Sequence, residues 1–155
     1  ADAGKLLSEI DVALSPYPEI FHAGFIHDCQ KEFAEANITL ALLSDRPLPS
    51  PADLKVLLPA YLNGLAEAVG EVRRHILDLV RQGALERCEP LLRRMDDIYS
   101  LLVTIDYPDA ITGGLRRSTD VARNILEKTR GDLTVAIRQQ DLERALRSLE
   151  GKISR

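Results

Sequence analysis

The stretch FHAGFIHDCQKEFAEANITLALL, from Phe21 to Leu43, decides how the rest of the chain is read. Projected at about 3.6 residues per turn, Phe25, Cys29, Phe33, Ala36, Leu40 and Leu43 fall on one apolar stripe, which predicts a long helix from about Glu19 to Ser44. Two turns of it also carry Asp28, Glu32 and Glu35. Glu32 lies on the edge of the stripe, and Asp28 and Glu35 lie beside it. Carboxylates crowded along a packing face repel one another and lose hydration unless a cation or a donor neutralises them. A second acidic pair, Glu67 and Glu71, follows one helix later. Glu32, Glu35, Glu67 and Glu71 together read as a metal site.

Outward from this stretch, residues 1–15 predict a short amphipathic helix on Leu6, Leu7, Ile10 and Leu14, broken by Ser15-Pro-Tyr-Pro. Ser50 followed by Pro51 is an N-cap with proline at the first helical position. A helix follows from Ala52 to Gln82, with a kink at Pro59 and Gly83 as its stop. Its stripe is Leu58, Tyr61, Leu65, Val69, Val72, Ile76 and Leu79. A fourth helix, Glu86 to Ile105, offers Leu91, Leu92, Met95, Ile98, Leu101 and Leu102 to the core. A last helix fills 115–130, and Gly131-Asp132 interrupts or weakens it. The amphipathic pattern continues to residue 150 through Leu133, Ile137, Leu142, Leu146 and Leu149. No β-branched strand pattern, internal repeat or low-complexity segment appears. The sum is an all-α, antiparallel multi-helix bundle in one domain, residues 1–155.

The net charge of −4 hides a gradient: residues 1–72 carry −7, residues 73–115 carry −1 and residues 116–155 carry +4. An acidic first half beside a basic end suits a metal site next to a polyanion-binding surface, as it would suit solvated helix faces. Cys29 and Cys88 lack metal-ligand spacing and read as small buried side chains in a reducing compartment. No signal peptide or membrane-length apolar run is present, which points to a cytoplasmic protein with no membrane partner. The chain begins Ala-Asp, so the expectation is that a segment upstream is missing.

Glutamates four apart most often form a solvated face. Here the small residues Ala60 and Gly64 share the face of Glu67 and Glu71, so another helix can approach closely. An ExxE pair and, about thirty residues later, an ExxxE pair offer four hard oxygen ligands from two antiparallel helices, the kind Mg²⁺ or Mn²⁺ prefers. Three helical carboxylate architectures come into question. Di-iron bundles need Glu-x-x-His, and His75 is four residues from Glu71. All-helical nucleoside triphosphate pyrophosphatases pair ExxE with ExxD, but Gly70 stands three residues after Glu67.

The third is carried by FHAGFIHDCQKEFAEA, YLNGLAEAVGEVRRHILDLV and DYPDAITGGLRRSTDVARNILEKTRGDL, which resemble the translin superfamily, most closely its archaeal Trax-like members. The Trax motif Q-E-Y-x-E-A falls on Lys31 to Ala36, and Y-x-x-G-x-x-D-x-x-G-E-L-x-R falls on Tyr61 to Arg74. The family's metal carboxylates land on Glu32, Glu35, Glu67 and Glu71. One departure is that Glu67 stands where Trax carries Asp. The resemblance implies a translin-like fold assembled into a hollow homo-octameric barrel, with a further N-terminal helix ahead of the region present. It also implies a Mg²⁺-dependent endoribonuclease acting on single-stranded RNA, with some action on DNA. Translin-type subunits lack the acidic set, so a non-catalytic RNA- or ssDNA-binding scaffold is the alternative, and the pyrophosphatase is kept as a more distant one.

On this reading the four glutamates hold one or two divalent ions, which activate water and offset charge on the phosphoryl oxygens. No side-chain nucleophile is evident: Ser100 and Cys88 have no base nearby. Asp28, one turn before Glu32, reads as solvated or as a partner to the metal's ligands. Phosphates would be met by Arg73 and Arg74 beside Glu71, and by Arg116, Arg117, Lys128 and Arg130 on the last helix. Arg123 reads as the partner of Glu127. Few aromatic side chains can stack on bases, so no sequence-specific recognition is expected. His22, His27 and His75 are scattered.

Overall fold

The computed structural model describes residues 2–21 and 24–153, and among them every regular element is helical. The helices are α1 (Asp2–Leu14), α2 (Pro18–Phe21), α3 (Gly24–Leu43), α4 (Pro51–Leu54), α5 (Leu58–Arg81), α6 (Cys88–Leu102), α7 (Asp109–Thr112) and α8 (Leu115–Ile153). His22 lies outside the described residues. None of these helices is long and apolar enough to cross a membrane.

α5 is the axis of the bundle, and α3, α6 and α8 pack around it. Its stripe is buried as the pattern predicts, through Tyr61, Leu65, Val69, Val72, Ile76 and Leu79. Leu58 is the exception and is exposed. The predicted kink at Pro59 is a full break. The Ser50 hydroxyl accepts from the Asp53 N–H and the Asp53 carboxylate accepts from the Ser50 N–H, closing a capping box on a one-turn helix. Lys55 then turns into the left-handed region at φ 55° and ends it. Pro59 therefore sits in the first turn of α5, where its missing N–H costs nothing. Gly83, at φ 75°, stops α5 as expected.

The connection between α3 and α5 runs back along α3. Gln30, near the start of α3, is 2% exposed, and its side-chain oxygen accepts from the Leu57 N–H at 3.1 Å. α3 and α5 thus set out from the same end and run parallel, which corrects the antiparallel pairing expected for the two glutamate helices. α8 sets out from there too, since Ser118 donates to Asn63 and Arg73, further along, reaches Thr129 and Asp132. The antiparallel partner is α6, whose first residue, Cys88, lies on the Ile76 carbonyl near the end of α5.

Three further expectations are corrected. The buried face of α3 is Ile26, Gln30, Ala34, Ile38, Ala41 and Leu42; Phe25, Cys29, Ala36, Leu40 and Leu43 face outward. Cys29 is therefore exposed, while Cys88 is buried as read. Gly131 does not interrupt α8, which is continuous for 39 residues. Its last buried residue is Leu133, Ala136 still packs against the core, and Leu142, Leu146 and Leu149 are more than half exposed.

Candidate metal centre

The site forms where α3 and α5 cross. Gly64 makes the crossing possible: a Cβ there would sit 2.7 Å from the Lys31 carbonyl oxygen, 3.0 Å from the Glu35 nitrogen and 3.1 Å from the Ala34 Cβ. Helices this close bring side chains one turn away into each other's reach. Glu67, three residues beyond Gly64, meets Glu32 and Glu35 across the gap, and one carboxylate oxygen of each lies within 4.8 Å of the others. Glu32 is exposed, whereas Glu35 and Glu67 are half-buried. Glu32 also borders an open apolar groove between α1 and α3, lined by Leu6, Ile10, Cys29 and Phe33.

Three of the four predicted ligands therefore converge. Glu71, one turn further along α5, is outside that triangle and is paired at 3.4 Å with the exposed Arg74. Its charge still reaches the cluster. Burial lifts the Glu35 carboxyl above its ordinary range, and the charges of Glu67, Glu32 and Glu71 lift it further; Lys31 pulls it back. Carboxyls gathered at this spacing, with Glu35 lifted in this way, are a place where a hard cation lowers the energy. The donor set fits Mg²⁺ or Mn²⁺.

Lys31 is the functional residue that the pattern did not single out. Its ammonium donates to Glu67 at 2.9 Å and lies 3.5 Å from Glu32, with a side chain only 19% exposed. The hydrogen bond to Glu67 holds its pKa above the ordinary lysine value against the opposing effect of burial. A lysine inside a Lys-Glu-x-x-Glu run was the available signal. It reads as a solvated neighbour until Gly64 brings α5 in.

The basic residues fare differently from one another. Arg73 is committed internally, donating to Thr129 at 3.0 Å and to Asp132 at 2.7 Å, with a side chain 17% exposed. It ties α5 to α8. Arg74, Arg116, Arg117 and Lys128 are exposed, and Arg116 comes within 3.9 Å of Asp106. Arg130 is exposed but pairs with Asp96 and Glu127. Asp28 is exposed, and His75 is half-buried on α5. Cys88 is enclosed against the Ile76 and Ala84 carbonyls, and burial raises its thiol pKa, which leaves it a poor nucleophile. The Tyr61 hydroxyl donates to the Pro49 carbonyl at 2.8 Å, which fixes that ring in the core.

No family model matches the chain. An uncharacterized protein of Methanocaldococcus jannaschii is 32% identical over 139 residues, covering 89% of this chain. The chain spans 61% of that protein's length. Among solved structures, AfC3PO in complex with duplex RNA superposes with a TM-score of 0.78 at 35% identity, covering 85% of this chain and 68% of that one. A crystal structure of AfC3PO gives 0.77 at the same identity and coverage. Apo-NeC3PO gives 0.76 at 24% identity over 86% and 69%, and shares the fold. The all-helical architecture and these similarities agree with the motifs read at Lys31–Ala36 and Tyr61–Arg74: the chain belongs to the translin superfamily.

Proposed function

We propose that this chain is the catalytic kind of translin-superfamily subunit, a Mg²⁺- or Mn²⁺-dependent endoribonuclease that cleaves single-stranded RNA. The observation that carries the reading is the convergence of Glu32, Glu35 and Glu67 within 4.8 Å, with Glu71 on the next turn of α5. Glu32, Glu35 and Glu67 would hold the ion, and Glu71 would complete the set on turning from Arg74. When bound, a divalent ion supplies an activated water and offsets charge on the phosphoryl oxygens. The protein does the rest. Burial of Glu35 and Glu67 keeps part of the site away from competing water, and exposed Glu32 leaves one side open to a polymer. Arg74, free on its outer side and next to Glu71, is placed to meet a phosphate. Arg116, Arg117, Lys128 and Arg130 would contact the backbone without reading bases. Arg73, held by Thr129 and Asp132, instead fixes α5 against α8.

The similarity to AfC3PO, solved with duplex RNA, supports RNA as the polymer. Assembly into a homo-octamer is part of the same proposal, and the outward Leu142, Leu146 and Leu149 give copies an apolar surface to cover. A second reading keeps RNA binding without chemistry. It is favoured by the Lys31 ammonium, which already neutralises Glu67.

The test is cleavage of end-labelled single-stranded and duplex RNA with Mg²⁺, with and without EDTA, by the wild type and by Glu32→Gln and Glu67→Gln. The proposal expects cleavage of the single strand that EDTA abolishes. Each variant should lose about 10²-fold or more, the cost of removing one charged group from transition-state stabilisation, while RNA binding persists. Binding without cleavage in any metal would leave the scaffold. Pyrophosphate release from free nucleotides would restore the third alternative.

A further inference from the structure

Lys31 behaves unlike the other lysines on the acidic half of the chain. Lys5, in an ordinary i, i+4 pair with Glu9, is 79% exposed and 3.8 Å from its partner. Lys31 is laid into the crossing of α3 and α5, 19% exposed, and reaches across to the other helix. Its backbone is part of the same contact, since the Lys31 carbonyl oxygen is the atom that a Cβ at Gly64 would strike. Counting Glu32, Glu35, Glu67 and Glu71 with Lys31, the crossing carries four negative charges against one positive one. Arg74 attends to Glu71 from outside. Among the described residues, the remaining three carboxylates are served by a single ammonium.

We propose that Lys31 is the built-in counter-ion of the carboxylate cluster, holding Glu67 in the metal-free protein and giving it up when a divalent cation binds. The inference rests on the reading of the glutamates as metal ligands. Its physical basis is competition for one carboxylate. The ammonium donates to Oε1 of Glu67 at 2.9 Å, and Glu67 is one of the three carboxylates that converge with Glu32 and Glu35. A hard cation takes its carboxylate oxygens at about 2.0–2.2 Å and carries its own positive charge. A cation drawn in among these three carboxylates comes close to the ammonium on Glu67, and the repulsion between the two positive charges favours release of that hydrogen bond. Each metal-binding event then costs a partly buried ion pair. Lys31 stabilises the metal-free fold, weakens the intrinsic affinity for the ion, and ends as an unpaired ammonium at the rim of a loaded site.

The experiment measures Mn²⁺ binding from the loss of the free-ion EPR signal for the wild type, Lys31→Gln and Lys31→Arg. In parallel, the Lys31 ammonium is followed by ¹H–¹⁵N NMR in the wild type during a Mg²⁺ titration. The inference expects Lys31→Gln to bind Mn²⁺ roughly tenfold tighter, the scale of one partly screened ion pair. Lys31→Arg, which keeps the charge, should show no such gain. The Lys31 resonance should move as Mg²⁺ saturates. If the wild type binds Mn²⁺ while Lys31→Gln gains nothing and the resonance stays in place, the counter-ion role is wrong and the metal site stands. If neither protein binds the ion, the metal site itself is wrong. Should Lys31→Gln fail to fold, the wild-type resonance decides alone: movement with bound Mg²⁺ supports the role, and no movement overturns it.

Discussion

Glu35 is the residue at which burial and like charge act together. Its carboxyl is lifted first by burial and then by Glu67, Glu32 and Glu71. A group whose folded pKa is raised above the unfolded one contributes most favourably below the ordinary carboxylate value, here 4.5, and that contribution is lost as pH rises through the folded value. In EDTA at neutral pH, Glu35→Gln should therefore raise the melting temperature. The expected gain is roughly 1–3 °C for a domain of this size, fading as the pH is lowered toward the carboxylate range. Mg²⁺ should stabilise the wild type more than the variant. A lower melting temperature for Glu35→Gln at neutral pH without metal would mean that the carboxylate is already fully satisfied.

At the scale of elements, the α3–α5 crossing shows what a sequence displays and what it conceals. Ser50-Pro51, Gly83 and the stripe from Tyr61 to Leu79 were legible because caps and wide apolar faces have their own local chemistry. The buried face of α3 was misread because a close crossing selects small side chains. Ala34, Ala41 and Gln30 face inward, while the more conspicuous Phe25, Leu40 and Leu43 point out. Glu32, Glu35 and Glu67 were legible as a group, whereas Glu71 stands outside it. The Lys31 bond that joins the two helices was not legible, because it depends on how near they come. Gly64→Ala tests that nearness. Its Cβ would strike backbone atoms of α3, which cannot swing aside. The variant should lose about 1–3 kcal/mol in denaturant unfolding, the usual cost of overpacking. A stability unchanged within error would mean that the helices part easily at this point, and the site would then lack a rigid base.

Over the whole molecule, α5 serves both as the centre of the core and as one wall of the carboxylate cluster, so packing and site share a single helix. The charge gradient visible along the sequence remains in the fold: acidic groups gather at the α3–α5 crossing, and exposed cations spread over α8. The outer half of α8 turns Leu142, Leu146 and Leu149 outward. The account turns on one claim, that two helices hold a divalent ion between their glutamates. It is tested most directly by anomalous diffraction from crystals soaked in Mn²⁺. The prediction is a peak at about 2.0–2.2 Å from carboxylate oxygens of Glu32, Glu35 and Glu67, with the Lys31 ammonium moved off Glu67. Full Mn²⁺ in the soak with no peak among those three side chains, and Lys31 still bonded to Glu67, would contradict it.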